Sequence, residues 1–173
     1  MQLTKVKKKG SGESVMAKFK MGVDVNTASN IVVARLTQDG TAENHLVDND
    51  KGKLVGLAAD SEYALSAAGD QIEGCLVAVE PATQDGYTIG SVKTNDRMAC
   101  ICDGIQATPG TGTIVLGDYV VVGTPVAAGT ALTAAGPKVC KATSQDITFF
   151  SWRVISLGVA GAVGDTCVIE RVC

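Results

Sequence analysis

Catalysis in a folded chain needs a base, a nucleophile or a metal, and few residues here supply one. His45 is the one histidine of the 173-residue chain. Its surroundings, Glu43-Asn44-His45-Leu46, read as a polar loop, whereas a catalytic imidazole has to be held rigidly by an orienting partner. A pairing of His45 with any of the six cysteines (Cys75, Cys100, Cys102, Cys140, Cys167 and Cys173) would make a thiolate nucleophile, because such partners meet in space and not along the chain. Most of these cysteines instead stand among apolar neighbours, as in Gly74-Cys75-Leu76-Val77 and Thr166-Cys167-Val168-Ile169, where cysteine behaves as a small hydrophobe. They are read as reduced and mostly buried.

The remaining chemical candidates each have a plainer reading. Cys100-Ile101-Cys102 puts two thiols on one face of a strand, a spacing open to a soft metal or a strained redox pair. It lacks the Cys-x-x-Cys knuckle and the second ligand pair of a zinc site, so two core-facing small side chains are expected. Asp48-Asn49-Asp50 has the opening of a calcium loop, but Lys53 and Ala59 stand where its glycine and closing glutamate belong. Pro109-Gly110-Thr111-Gly112 is glycine-rich without the Gly-Lys-Ser/Thr ending of a phosphate loop. Trp152 with Phe149 and Phe150 is either a stacking platform for a sugar or base or the main volume of a core, and in an aromatic-poor chain the core is expected. These readings predict a non-enzymatic protein with no metal and no cofactor.

The elements that would position these residues are short strands. Hydrophobic side chains make up 46% of the chain and charged ones 19%, enough to bury one domain core. Its 20 glycines serve turns, which recur as Asp39-Gly40, Gly69-Asp70, Asp85-Gly86, Asp103-Gly104, Pro109-Gly110, Gly117-Asp118, Gly136-Pro137 and Gly164-Asp165. Between them, 73–80, 87–92, 97–102, 113–122, 147–159 and 166–172 read as strands rich in β-branched residues, a spacing that predicts a small β-barrel or sandwich. Along Phe150–Ile155 the alternation turns Phe150, Trp152 and Val154 to one face and Ser151 and Arg153 to the other. Asp60–Ala68 is balanced between a two-turn helix and a strand. Gly-Asp before an apolar run occurs at 69–70, 117–118 and 164–165, spaced by 48 and 47 residues, a weak internal rhyme. The mainly β body is expected over 54–173. Residues 1–53 read as a long extended N-terminal arm, with a polar loop over 39–53 and one strand-like patch at Ile31–Leu36.

Charge divides the same way. The net charge is −3, yet Lys5, Lys7, Lys8, Lys9, Lys18 and Lys20 against Glu13 give +5 in the first twenty residues and leave −8 for the rest. A basic arm on an acidic body is a solvated tail, an arm that docks on acidic protein surface, or a nucleic-acid contact. The last is disfavoured by the missing arginines and aromatic platform. No stretch reaches the ~18 consecutive apolar residues of a membrane span, and Met1–Lys9 leads into no secretory core, so cytosolic synthesis is expected.

The stretch Ala64–Val92 resembles the opening of the small β-barrel decoration, or cement, proteins on the heads of tailed bacteriophages. Their later Gly-Asp-apolar strand and closing strand pair are similar to Leu116-Gly117-Asp118-Tyr119-Val120-Val121 and to Leu157-Gly158-Val159-Ala160 with Gly164-Asp165-Thr166-Cys167-Val168. The resemblance covers about two-thirds of the chain, from near Leu54 to the end. It implies a structural virion protein on the outer capsid surface that bridges neighbouring copies of the major capsid protein and stabilises the expanded head, commonly as a homo-oligomer with a trimer favoured. The arm would then carry the contacts, through its six lysines and through Ile31, Val32 and Val33 added to a neighbour's sheet edge. A carbohydrate- or cell-surface-binding β-module on the virion, using Trp152 or Tyr87, is the alternative.

Overall fold

The computed structural model describes residues 31–36, 46–59, 62–80, 88–94, 97–132, 136–144 and 151–172, and among them the chain is mainly β. β1 (Ile31–Leu36), β2 (Leu54–Ala59), β3 (Glu62–Leu65), β4 (Gly74–Glu80) and β5 (Ile89–Lys93) close into a barrel in the order β1-β3-β2-β4-β5. All its pairings are antiparallel except β1 with β3. Strand periodicity fills the interior: β1 turns Ala34 and Leu36 inward, where they meet Leu46, Val55, Tyr63, Leu76 and Val92.

β6 (Arg97–Ile105), β7 (Thr108–Pro109), β8 (Val120–Val122), β9 (Lys138–Lys141), β10 (Trp152–Leu157) and β11 (Thr166–Arg171) form a second, six-stranded sheet. Its path is β10-β11-β6-β9-β8, with β7 folded back on β6. The two ends of that path also meet, because Tyr119 bridges Arg153. Inside lies the larger core, built on Trp152, Val154, Ile114, Val120, Val139, Ile169 and the thiols of Cys100, Cys102 and Cys167. Leu54 and Ile72, from the barrel side, pack into it. Arg171 ties the two together from outside, donating to Thr94 O at 2.8 Å and pairing with Glu73 at 3.5 Å.

The expected strands are largely present, and Trp152 and Val154 are buried with Arg153 exposed between them. Three expectations change. The stretch balanced between helix and strand is β3 over Glu62–Leu65: two turns of helix carry the full cost of nucleation, while β2 offers a ladder to pair with. The apolar run 113–122 is a strand only at Val120–Val122, and Thr113–Asp118 is a loop. The arm also gives up its C-terminal part to the body. β1 pairs with β5 along Ile31–Arg35 and with β3 at Arg35 and Leu36, so its ladder is supplied within the chain and not by a neighbour. Within the expected polar loop, Leu46, Asp50 and Lys53 are buried. Residues 1–30 and 37–45 lie outside the described residues.

Because Leu36 is a barrel core residue and not part of a projecting arm, Leu36→Ala should cost about 2–5 kcal/mol. At ~2–4 °C per kcal/mol for a chain of this size, thermal melting should show a drop on the order of 10 °C. The exposed neighbour substitution Val33→Ala should leave the midpoint nearly unchanged. Equal midpoints for the two variants would return β1 to the arm.

Candidate functional site

The recurring feature of the molecule is one turn used three times. In each Gly-Asp copy the aspartate N–H donates to the carbonyl three residues back: Asp70 to Ala67 (3.2 Å), Asp118 to Val115 (3.2 Å) and Asp165 to Ala162 (3.0 Å). The carboxylate closes the same turn from the other side, Oδ2 accepting the N–H of Ala67 (2.7 Å), Val115 (2.8 Å) and Ala162 (3.0 Å). The glycine holds φ of 87°, 88° and 93° respectively, the left-handed value required at the third position of a type II turn. Each turn then docks on a strand by two backbone hydrogen bonds. Gly69 N–H donates to Val122 O, and Asp70 O accepts from Val122 N–H. Gly117 and Asp118 do the same with Val154, and Gly164 and Asp165 with Cys102, all at 2.8–3.0 Å. The sequence rhyme is thus a shared turn-to-strand clamp.

Two buried carboxylates hold further loops. Asp50 and Lys53 form a buried pair at 2.6 Å. Lys53 Nζ also donates to Ala127 O (2.6 Å), and Asp50 accepts from Gly129 N–H (2.7 Å) and Val47 N–H (2.8 Å), which fastens the 124–132 loop to the barrel. Asp103 accepts from Thr124 N–H (2.7 Å) and Oγ1 (2.6 Å) and pairs with Lys138 at 3.2 Å. Burial pushes its carboxyl pKa up, but the Thr124 hydrogen bonds and the Lys138 ammonium outweigh that and hold it below the ordinary carboxylate value. Asp118 is likewise paired, with Lys141 at 2.9 Å. The opening of the supposed calcium loop therefore serves an internal ion pair.

The chemical candidates are placed as follows. Cys100, Cys102, Cys140 and Cys167 are buried, Cys75 is partly so, and all five are free thiols. Burial raises their pKa, to about 11 for Cys75 and Cys140 and well above the ordinary thiol value for Cys100, so at neutral pH they stay protonated and unreactive. Cys100 stands opposite Cys167 in the β6–β11 register, both facing the core. Among the described residues no three His, Cys, Asp or Glu side chains gather as metal ligands. Trp152 is a core ring, which removes it as an exposed platform. Pro109-Gly110-Thr111-Gly112 begins in β7, which the Gln106-Ala107 turn folds onto β6, and runs on into the loop after it. Tyr87, the other candidate platform beside Trp152, the aromatic pair Phe149 and Phe150, His45, Cys173 and the lysines Lys5, Lys7, Lys8, Lys9, Lys18 and Lys20 lie outside the described residues.

Between barrel and second sheet sit a cavity of about 80 Å³ walled by Leu54, Leu65, Val122, Pro125 and Leu132 and a more open cleft of about 360 Å³ lined by Gly52, Cys75, Lys93, Arg97, Met98 and Pro137. The first is small against the ~300–1,000 Å³ of ordinary ligand pockets, and the second lies at the low end of that range. The surface also offers apolar contact. Ile31, Val32 and Val33, the proposed contact residues of β1, are exposed, and so are Val115, Leu116, Val159 and Val163 on two loops of the second sheet. The second group was missed in the sequence, where Val115 and Leu116 read as strand interior. Comparison with known proteins gives no match: no family model fits the chain, and no curated protein or solved structure aligns with it.

Two predictions follow from the buried carboxylates. Lys53→Met leaves Asp50 charged and unpaired in the interior and should cost about 3–5 kcal/mol in urea unfolding. The double variant Asp50→Asn, Lys53→Met should recover part of that loss; a single variant as stable as the parent would remove the pair from the account. For Asp103, a depressed folded pKa means stabilisation that is present above the unfolded value near 3.8 and lost as the pH falls through the lower folded one. Asp103→Asn should thus melt well below the parent near neutral pH, and the gap should narrow below about pH 4. A gap that is constant across that range would assign the effect to shape and not to charge.

Proposed function

We propose that this protein is a structural component of a tailed-phage virion that binds the outer capsid surface and holds neighbouring capsid subunits together in the expanded head. The observation that carries the reading is how the described residues divide their work. The buried carboxylates Asp50, Asp103 and Asp118 are each committed to backbone N–H groups and a lysine that fix a loop, and exposed apolar side chains stand on the barrel strands (Ile31, Val32, Val33 and Leu57) and on loops of the second sheet (Val115, Leu116, Val159 and Val163). Such a body is rigid and presents contact area, which is what a mechanical binder needs. The closed barrel and the Gly-Asp strands agree with the resemblance to head decoration proteins.

Attachment rests on many shallow contacts repeated by capsid symmetry, where avidity replaces a single strong site. The basic N-terminal segment, +5 over twenty residues, supplies the long-range attraction to acidic capsid surface. The partner is the major capsid protein, the protein acts as a homo-oligomer on the lattice, and neither nucleic acid nor membrane is its target. The alternative of a glycan-binding module loses one of its two aromatic platforms with the burial of Trp152.

The test is co-sedimentation of the purified protein with heads of the encoding phage before and after expansion. Binding should saturate on expanded heads, be absent from unexpanded ones, and weaken as salt rises for the full chain but less for a chain lacking residues 1–20. Failure to co-sediment with either head form would overturn the reading. Salt dependence unaltered by the deletion would take the lysines out of it.

A further inference from the structure

The 124–132 loop helps to wall the cavity of about 80 Å³ between barrel and second sheet. Leu54, Ser66 and Val122 line it as buried residues, while Leu65, Val126 and Leu132 are half-buried, so the space has a dry floor and a mouth that reaches solvent. The loop is not at liberty to close it. Asp103 holds the loop at Thr124, Lys53 holds it at Ala127 and Asp50 holds it at Gly129. A wall pinned at those places cannot settle onto the floor, and the space persists.

A second observation marks the same place. Ser66 is only 6% exposed, it lines the cavity, and its Oγ makes no hydrogen bond among the described residues. Its backbone N–H is satisfied by Leu54 O at 3.1 Å, so the hydroxyl alone is orphaned. The remaining polar side chains of the wall are already engaged: Lys53 with Asp50 and Ala127, Thr124 and Lys138 with Asp103. A buried hydroxyl without a partner carries its full desolvation penalty, which a molecule that brings an acceptor oxygen relieves.

We propose that this cavity is a binding site for a small neutral molecule, a short apolar body with one acceptor oxygen that takes the Ser66 hydrogen bond, as in a ketone, ester or alcohol. Size sets the first limit. An apolar cavity of ~150 Å³ takes benzene, so this one takes roughly three to five heavy atoms. The wall sets the second. An ionic ligand would exchange its hydration for leucine, valine and proline and find both lysines already paired, an uncompensated desolvation. Water is a poor occupant, because it needs ~2–4 polar partners and the side chains of the wall leave one uncommitted. The inference goes beyond the capsid reading and does not rest on it.

Titration of the isotope-labelled full chain with 2-butanone, followed by amide and methyl NMR shifts, tests it, with xenon as a purely apolar probe of the same space. Binding of 2-butanone should saturate with a dissociation constant on the order of millimolar. The shifts should centre on Leu54, Ser66, Val122 and Leu132 and leave Leu76 and Ile169, deep in the two cores, unmoved. Ser66→Ala should weaken 2-butanone about three- to tenfold, the loss of one hydrogen bond, while xenon binds as before. That variant should melt no lower than the parent, since the atom it removes is unpartnered. Shifts that never saturate or that centre elsewhere would overturn the proposal, and so would equal 2-butanone affinity in parent and variant. A lower melting midpoint for Ser66→Ala, or a water that stays in contact with Ser66 at saturating 2-butanone, would assign the hydroxyl to other partners and overturn it as well.

Discussion

Every short strand leaves a row of unpaired N–H and C=O groups, and this fold depends on how those edges are satisfied. The barrel does it by closing β5 onto β1. The second sheet does it with the Gly-Asp clamps: Val122 of β8, Val154 of β10 and Cys102 of β6 each exchange two backbone hydrogen bonds with a turn and not with another strand. A net worth of ~0.5–1.5 kcal/mol per hydrogen bond makes each clamp modest, but a strand edge left buried and unpaired costs more than that for every group. The clamp also has a directional consequence. A turn that grips a strand by its glycine and aspartate must point its second residue away from the strand, and at 116 and 163 that residue is apolar.

The ion pairs extend the same logic to the loops. The 124–132 segment has no charged residue of its own and is fastened by Lys53 and Asp50 at one place and by Asp103 at another. Buried charges are weak contributors to stability when weighed against an apolar replacement, but they fix one geometry because a misplaced loop strands a charge. Rigidity and exposed apolar area are therefore two results of one construction, and both support the proposed role in contact.

Much of the body was legible in the sequence because its signals are local. Gly-Asp turns and β-branched runs mark β4, β5, β6 and β11, and the alternation at Trp152 and Val154 gives the facing of β10. What failed was long-range. Ile31–Leu36 looks like an isolated patch in a polar stretch, and only its pairing with β5, some sixty residues later, makes it a barrel strand. Asp50 and Lys53 look like solvated loop charges until the 124–132 loop is laid over them. The apolar run at 113–119 has strand composition, but Gly117 at positive φ bends it into a clamp. The Gly-Asp rhyme carried the information about this surface. Its meaning lay in the hydrogen bonds to strands elsewhere in the chain, which no spacing within the sequence reveals.

The proposed mechanical role rests on a body whose buried carboxylates Asp50, Asp103 and Asp118 are paired with lysines and hold loops, and whose exposed turn tips are apolar. The measurement that tests that role most directly is DNA release on heating from packaged tailed-phage heads that bind the protein, with and without the purified protein bound. The account predicts that decorated heads keep their DNA to a temperature several degrees above that of bare heads. Bound protein that leaves the release temperature unchanged would contradict the mechanical role.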